Sequence, residues 1–393
     1  MSGRPKLTSP GQFGLWGREI KRDWPLITQD EAALVLAAFD LPDITPIEWH
    51  SARPFSAVSR LSDCDGKNWF LKRHHRFLRD ESALAEEHDL IAHLAGQGLS
   101  VACPLEASSG KTSLSLGEWC YECFPALGGN DLYRDRLSWE PYLTRHHAQE
   151  AGYALACLHK KAQSWNAPSR STRPLVSSVI PLLDRHGPET GLKDWIEDNP
   201  ALRQSVEIQG NIDDILATLK PLFRNAAASL ARAEPQWGHG DWYGSNLIWQ
   251  GPSGKETVSA VFDFSMADKT TRCFDIAVAL ERSMIDWMKP RHTLAHSPPF
   301  FRTEPEQIVA FLAGYERSHP LTMQEREDIA AFLPLAHVTF ACSEIWYYQA
   351  LLNAPELAKT TYETYLLGHA QWFGTAEGKS LLSRIVTPER ADI

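Results

Sequence analysis

Between Ala32 and Phe39 the chain is continuously apolar, and Thr28-Gln29-Asp30-Glu31 just ahead of it has the form of a capping box. A Thr hydroxyl there accepts from the third helical N–H while a Glu carboxylate reaches back to the cap's own N–H. This predicts a helix that ends near Asp40, before Leu41-Pro42. The period then switches to two. Residues 46–51 and 57–61 read as strands, residues 62–67 as a turn, and residues 68–72 as a third strand. Helical spacing returns over residues 81–95 and is stopped by Gly96-Gln97-Gly98. Two more strands follow, residues 112–116 and 119–124, turning at Gly117.

Pro125-Ala126-Leu127-Gly128-Gly129 breaks this pattern, and beyond it helical spacing dominates, over residues 147–162, 211–233 and 304–369. Two short strands flank Gly251-Pro252-Ser253-Gly254-Lys255, which places Asn246 and Asp263 on one hairpin. The order strand-strand-strand-helix-strand-strand, followed by helices, predicts an α+β, bilobal, protein-kinase-like fold. Its small N-lobe has a five-stranded antiparallel sheet and one main helix, and its larger C-lobe is mostly helical. The organisation expected is an extension over 1–27, the N-lobe over 28–124, a hinge over 125–129 and the C-lobe over 130–393.

A chain of 393 residues is long for one core, which fits two domains. Its 43% apolar and 22% charged residues place it among ordinary globular proteins rather than disordered ones. A net charge of -10 argues against the basic face of a nucleic-acid binder. The run from Ala32 to Phe39 is too short to cross a bilayer, and Met1-Ser2-Gly3-Arg4-Pro5-Lys6 lacks the apolar centre of a leader. Seven cysteines, an odd number, suit reduced thiols and a cytoplasmic location. Cys120 and Cys123 form a C-x-x-C without a second pair, on opposite faces of a strand, so packing explains them better than zinc.

One segment carries the chemistry. His239-Gly240-Asp241 is followed by Asn246, five positions after that Asp, and then by Asp263 on a short apolar strand. Kinase-type phosphotransferases use this order to hold an acceptor hydroxyl and the magnesium ions on ATP. Asp241 would orient the hydroxyl and take its proton. Asn246 and Asp263 would supply hard oxygen ligands to Mg2+. His239 would support the loop through a hydrogen bond to Asp275. From the N-lobe, Lys72 at a strand end would meet the α- and β-phosphates, aimed by a glutamate of the following helix, Glu87 in preference to Glu86. Ser56 would cover the phosphates, and backbone around Cys123 and Phe124 would meet the adenine. Trp242 and Tyr243 beside the base could line a substrate wall, with packing an equal alternative for Trp242, whereas Trp346-Tyr347-Tyr348 reads as helical core. An Asp or Asn in a turn is ordinary when taken singly; the joint order behind a matching small lobe is what carries the reading.

These residues resemble the aminoglycoside phosphotransferase and choline kinase superfamily, whose mark is His-Gly-Asp-x-x-x-x-Asn followed by an Asp on a strand. Ala151 to His159 resembles the helix that these enzymes carry ahead of the loop. Segments around Glu86-Glu87-His88 and residues 124–129 are similar to bacterial stress-response kinases, and residues 311–316 to homoserine kinases. The resemblance spans residues 45–350 and implies ATP and Mg2+ as cofactors, with roles for Lys72, Glu87, Asp241, Asn246 and Asp263. Two departures stand out. The family has Gly directly before the Asn where this chain has Ser245, and Leu-His where this chain has Trp242-Tyr243. The reaction implied is transfer of the γ-phosphate of ATP to a small-molecule hydroxyl, on an amino alcohol, amino acid, sugar or aminoglycoside-like acceptor. Only twelve positions separate Asp263 from Asp275, too few for a long activation loop. A stress-response type of protein Ser/Thr kinase and a non-catalytic nucleotide binder are the alternatives.

Overall fold

The alternating segments form one antiparallel sheet in the order β1-β2-β3-β5-β4. Its strands are β1 (Trp49–His50), β2 (Ala57–Ser62), β3 (Asn68–His75), β4 (Leu114–Leu116) and β5 (Trp119–Pro125). The computed structural model describes residues 22–41, 44–51, 53–134, 136, 139–171, 174–287 and 301–387. Two compact units divide the chain, Met1–Gly128 with Arg170–Pro174, and Gly129–Ser169 with Leu175–Ile393.

In the first unit, strand alternation gives the sheet two distinct faces. Leu61, Trp69, Leu71, Tyr121 and Cys123 bury against Ala32, Val35 and Leu36 of helix α1 (Gln29–Ala37). The capping box of α1 forms as its sequence dictates, with Thr28 and Glu31 exchanging hydrogen bonds. Glu31 also accepts from Arg73 Nη1 at 2.6 Å and from the Tyr121 hydroxyl at 2.8 Å. On the other face, helix α2 (Glu81–Gly96) starts at Asp80, whose carboxylate accepts from the Ala83 N–H at 2.8 Å.

Two expectations change here. β1 is only two residues long, and β3 runs on to His75, so Lys72 lies within the strand and not at its end. The polar residues after Lys72 stay in the strand because each is satisfied: Arg73 by Glu31, and His74 by Glu122. The end of the expected extension is also ordered. Ile27 is buried in the sheet core and Trp24 stacks on His75 at 5.3 Å; residues 1–21 of that extension lie outside the described residues.

The second unit is helical, apart from two small hairpin-like sheets. Helices α3 (Arg145–Ala162), α4 (Pro188–Glu197), α5 (Pro200–Gln209) and α6 (Ile212–Ala231) precede strands β6 (Pro235–Gly238), β7 (Leu247–Gln250), β8 (Thr257–Val261) and β9 (Asp268–Thr271). Helices α7 (Arg272–Met284), α8 (Pro305–Glu316), α9 (Met323–Phe332), α10 (Val338–Trp346), α11 (Pro355–Thr360), α12 (His369–Phe373) and α13 (Ala376–Val386) follow. β6 pairs with β9 and β7 with β8, both antiparallel. α3 and α8 meet backbone to backbone at Gly152 and Gly314. A Cβ on Gly152 would fall 2.0 Å from the Phe311 carbonyl oxygen, and one on Gly314 1.8 Å from that of Gln149. By length and composition the helical run Met323–Leu351 would suffice to cross a bilayer. However, 83% of its most apolar window is buried inside the protein, the signature of a core helix.

Candidate active site

The loop after β6 is built around one buried carboxylate. Asp275, near the start of α7, accepts from the His239 N–H at 2.9 Å and the Gly240 N–H at 2.8 Å. It also pairs with His159 Nε2 of α3 at 2.9 Å, and His159 in turn contacts the Tyr315 hydroxyl through Nδ1 at 2.8 Å. Burial alone would raise the Asp275 pKa, but the hydrogen bond and charge of His159 and the two backbone N–H groups bring it below the ordinary carboxylate value. His159 was not foreseen as part of this support, although it ends the helix segment singled out in the sequence. Gly240 is required here: its φ is +73°, and a Cβ would fall 2.3 Å from the Met266 carbonyl oxygen.

His239 is fully buried between Trp242 and Phe264, with ring centroids at 5.2 and 4.9 Å. Its Nε2 meets the Phe262 carbonyl at 3.2 Å, and its Nδ1 faces the Asp241 N–H at 3.3 Å. A carbonyl only accepts and an N–H only donates, so this pair of contacts selects the neutral Nε2–H tautomer. Burial lowers the His239 pKa, in keeping with that form.

Asp241 and Asn246 are tied together. The Asn246 amide nitrogen donates to the Asp241 carbonyl at 2.8 Å and to Asp241 Oδ2 at 3.1 Å. Spending its N–H groups on Asp241 leaves Asn246 Oδ1 as the free hard oxygen of the amide. Asn246 closes the 3-10 turn Gly244–Asn246, and its carbonyl accepts from the Phe262 N–H at 3.1 Å, one residue before Asp263. Leu247 pairs with Val261, so the β7–β8 hairpin holds Asn246 and Asp263 at its open end. Asp263 adopts φ +60°, a left-handed conformation that re-aims its side chain as the strand ends. Ser245, in the family's glycine position, avoids that region: it lies within the 3-10 turn and needs no positive φ.

A residue absent from the sequence reading completes this group. Arg282 Nε of α7 lies 3.2 Å from Asp241 Oδ1. Its guanidinium sits over the rings of Phe340 and Trp139 at 4.8 and 5.5 Å. Burial raises the Asp241 pKa, Arg282 works against that, and the charge of Asp263 adds to it. The signal available in the sequence was Glu281-Arg282, two charges directly ending the apolar run from Ile276 to Leu280.

In the first unit the expected Lys72–Glu87 pair is replaced. Lys72 is the direct cross-strand neighbour of Glu122 on β5, and its Nζ lies 3.8 Å from Glu122 Oε1. Residues opposite each other in an antiparallel pair share a face, which is why Glu122 reaches Lys72. The fully buried Glu122 is further held by His74 Nε2 at 2.8 Å and by His88 Nε2 of α2 at 2.7 Å. Burial would raise the Glu122 pKa, yet the two histidine hydrogen bonds and the Lys72 charge hold it well below the ordinary carboxylate value. Glu87 points elsewhere, to Arg79 at 3.7 Å and Arg170 at 3.3 Å. Helix α2 thus turns His88 toward the sheet where Glu87 was anticipated.

Ser56 precedes β2 directly after Phe55, whose φ of +73° turns the chain into the strand. The Cys123 side chain lies in the α1 core, and its carbonyl already accepts from the Leu105 N–H at 2.7 Å. Phe124 stays partly exposed on the opposite face, its ring 6.2 Å from His88. Trp242, expected to line the substrate pocket, is 0% exposed and packs on His239. Tyr243 is also buried. Two large rings beside the loop are drawn into its core by the area they remove from water.

Comparison with known proteins agrees with this architecture. An uncharacterized protein of Synechocystis, sll1119, is 26% identical over 292 residues, spanning 72% of this chain and 67% of its own. The amicoumacin kinase hAmiN, solved in complex with AMP-PNP, Ca2+ and Ami, shares the fold with a TM-score of 0.52 at 16% identity, over 81% of this chain and 89% of its own. Choline kinase from Cryptosporidium parvum Iowa II gives 0.51 at 13% identity, over 86% and 93%. The model of the phosphotransferase enzyme family matches residues 52–327. This chain therefore belongs to the phosphotransferase enzyme family.

Proposed function

We propose that this enzyme transfers the γ-phosphate of ATP to a hydroxyl group of a small molecule, with Asp241 as the residue that receives the hydroxyl proton. The observation that carries the reading is the Asp241–Asn246 pair. The amide N–H groups of Asn246 fix the Asp241 carboxylate and leave Asn246 Oδ1, with Asp263 across the hairpin, as oxygen ligands for a divalent ion.

In this reading the acceptor oxygen bonds to the γ-phosphorus, the bond to the bridging oxygen of ADP breaks, and the hydroxyl proton passes to Asp241. Arg282 keeps the Asp241 carboxylate available as a base despite its burial. Lys72, anchored by Glu122, neutralises the α- and β-phosphates. Asn246 and Asp263 would hold magnesium, which supplies charge neutralisation on the phosphates when bound with ATP. The donor set fits: both side chains offer hard oxygens. The amicoumacin kinase complex, which contains a nucleotide analogue and a divalent ion, supports the cofactor class, and the names of both solved relatives support a small-molecule acceptor.

The test is an ADP-release screen with Mg-ATP across amino alcohols, amino acids, sugars, nucleosides and aminoglycosides. Acceptor-dependent ADP release supports the reading. Nucleotide binding without turnover on any acceptor overturns it in favour of a binding protein.

A further inference from the structure

Away from the catalytic loop, three side chains from separate elements meet in the interior of the second unit. Glu281 comes from α7, His337 from the residue that precedes α10, and His369 from the start of α12. Each is at least 97% buried. Glu281 Oε1 lies 3.3 Å from His337 Nδ1 and 3.8 Å from His369 Nδ1, and one potential ligand atom from each residue falls within 4.8 Å of the others.

Among the described residues, Glu281 Oε1 and both ring nitrogens of His337 and of His369 are buried without a hydrogen-bond partner. Five such atoms in one place run against the general rule that buried polar groups are paired, and each carries a desolvation cost of about 1–3 kcal/mol when left alone. Trp139, Trp287 and Tyr365 close around the two imidazoles with aromatic faces and edges.

We propose that Glu281, His337 and His369 form a binding site for a zinc-class divalent metal ion. Two imidazole nitrogens and one carboxylate oxygen are a borderline donor set that suits Zn2+ and disfavours Mg2+, which seeks oxygen ligands. Zinc bonds of about 2.0–2.2 Å in a tetrahedral arrangement place ligand atoms roughly 3.3–3.5 Å apart. The Glu281–His337 separation already matches this, and side-chain rotation of about an ångström brings in the widest pair. Three protein ligands leave a fourth position for water. The ion would clamp α7, the start of α10 and α12 together. It is distinct from the nucleotide-bound metal proposed at Asn246 and Asp263, and it does not depend on that assignment.

The test uses the full-length protein, stripped with a chelator and reloaded with zinc. After dialysis against excess Mg2+, elemental analysis should find about one zinc per chain, and the reloaded protein should melt at a higher temperature than the stripped one. His337→Ala with His369→Ala should weaken zinc binding by roughly tenfold or more by titration calorimetry. Because that double variant removes buried side chains and can fail to fold, Co2+ is added in parallel to the stripped wild-type protein. Visible ligand-field bands of a low-coordinate nitrogen and oxygen site support the assignment. Negligible retained zinc, a featureless cobalt spectrum, or a folded double variant that binds zinc as tightly as wild type would each overturn it.

Discussion

The guanidinium of Arg282 lies 3.2 Å from the carboxylate of Asp241, and the two side chains are 2% and 15% exposed. The arrangement gives a half-buried carboxylate a buried cation that cannot be deprotonated. Replacing Arg282 by Met keeps much of the packing against Phe340 and Trp139 but strands the Asp241 charge. Breaking a buried pair from one side costs about 3–5 kcal/mol. Urea unfolding of Arg282→Met should therefore show a loss of that order, together with depressed turnover. A change below about 0.5 kcal/mol would contradict the buried-pair account.

Glu122 and Glu87 make opposite predictions for nucleotide affinity. Glu122 is the carboxylate beside Lys72, whereas Glu87 serves Arg79 and Arg170. A charge-assisted contact contributes about 1.5–3 kcal/mol, so Glu122→Gln should raise the KM for ATP roughly tenfold or more. Glu87→Gln should leave that KM within about twofold while lowering stability through its two arginines. Steady-state kinetics on both variants decides which acid positions the lysine, and the reverse pattern would restore the helix glutamate to the role.

The α3–α8 contact predicts a contrast between two glycines. Gly314→Ala drives a methyl group into the Gln149 carbonyl and should destabilise by about 1–3 kcal/mol or more. Gly96 closes α2, and a Cβ there meets nothing within 4 Å. Gly96→Ala should be neutral or stabilise by up to about 1 kcal/mol. Thermal melting of the two variants checks the pair, and equal losses would contradict the backbone contact.

Acid should destabilise the protein in two stages. Burial lowers the pKa of His74 and His239 below their ordinary 6.5, so the folded state takes up fewer protons than the unfolded chain as pH falls through that value. Stability then declines with falling pH. Glu122 is held well below its ordinary 4.5 and contributes stability that is present above that value and lost as pH falls below it. Melting temperatures measured from about pH 8 down to about pH 4 should drop in the histidine range and again in the carboxylate range. A melting temperature that stays flat or rises on acidification would refute the assignment.

Local patterns made much of this legible in advance. The Thr28–Glu31 capping box and the turn at Gly117 depend on neighbouring residues alone and appear where the sequence placed them, and the five strands of the alternation form with shifted ends. The loop from His239 to Asn246 was likewise readable, because its order is fixed by chain connectivity. Long-range partnerships were not. Lys72 meets Glu122 through strand register, His88 instead of Glu87 faces the sheet through helix rotation, and Arg282 reaches Asp241 from 41 positions away. Trp242 sits beside the His239–Asn246 loop in the sequence, but burial of an indole is decided by what closes over it, which no local pattern states.

Asp241→Asn tests the central claim most directly. The substitution preserves size and the Asn246 contact while removing the proton acceptor. With an active acceptor, kcat should fall by about 10²–10⁴-fold, the range of general acid–base contributions. The affinity for Mg-ATP, measured by titration on protein whose fold is verified by circular dichroism, should stay within about threefold of wild type. A folded Asp241→Asn enzyme that turned over at the wild-type rate would contradict the account.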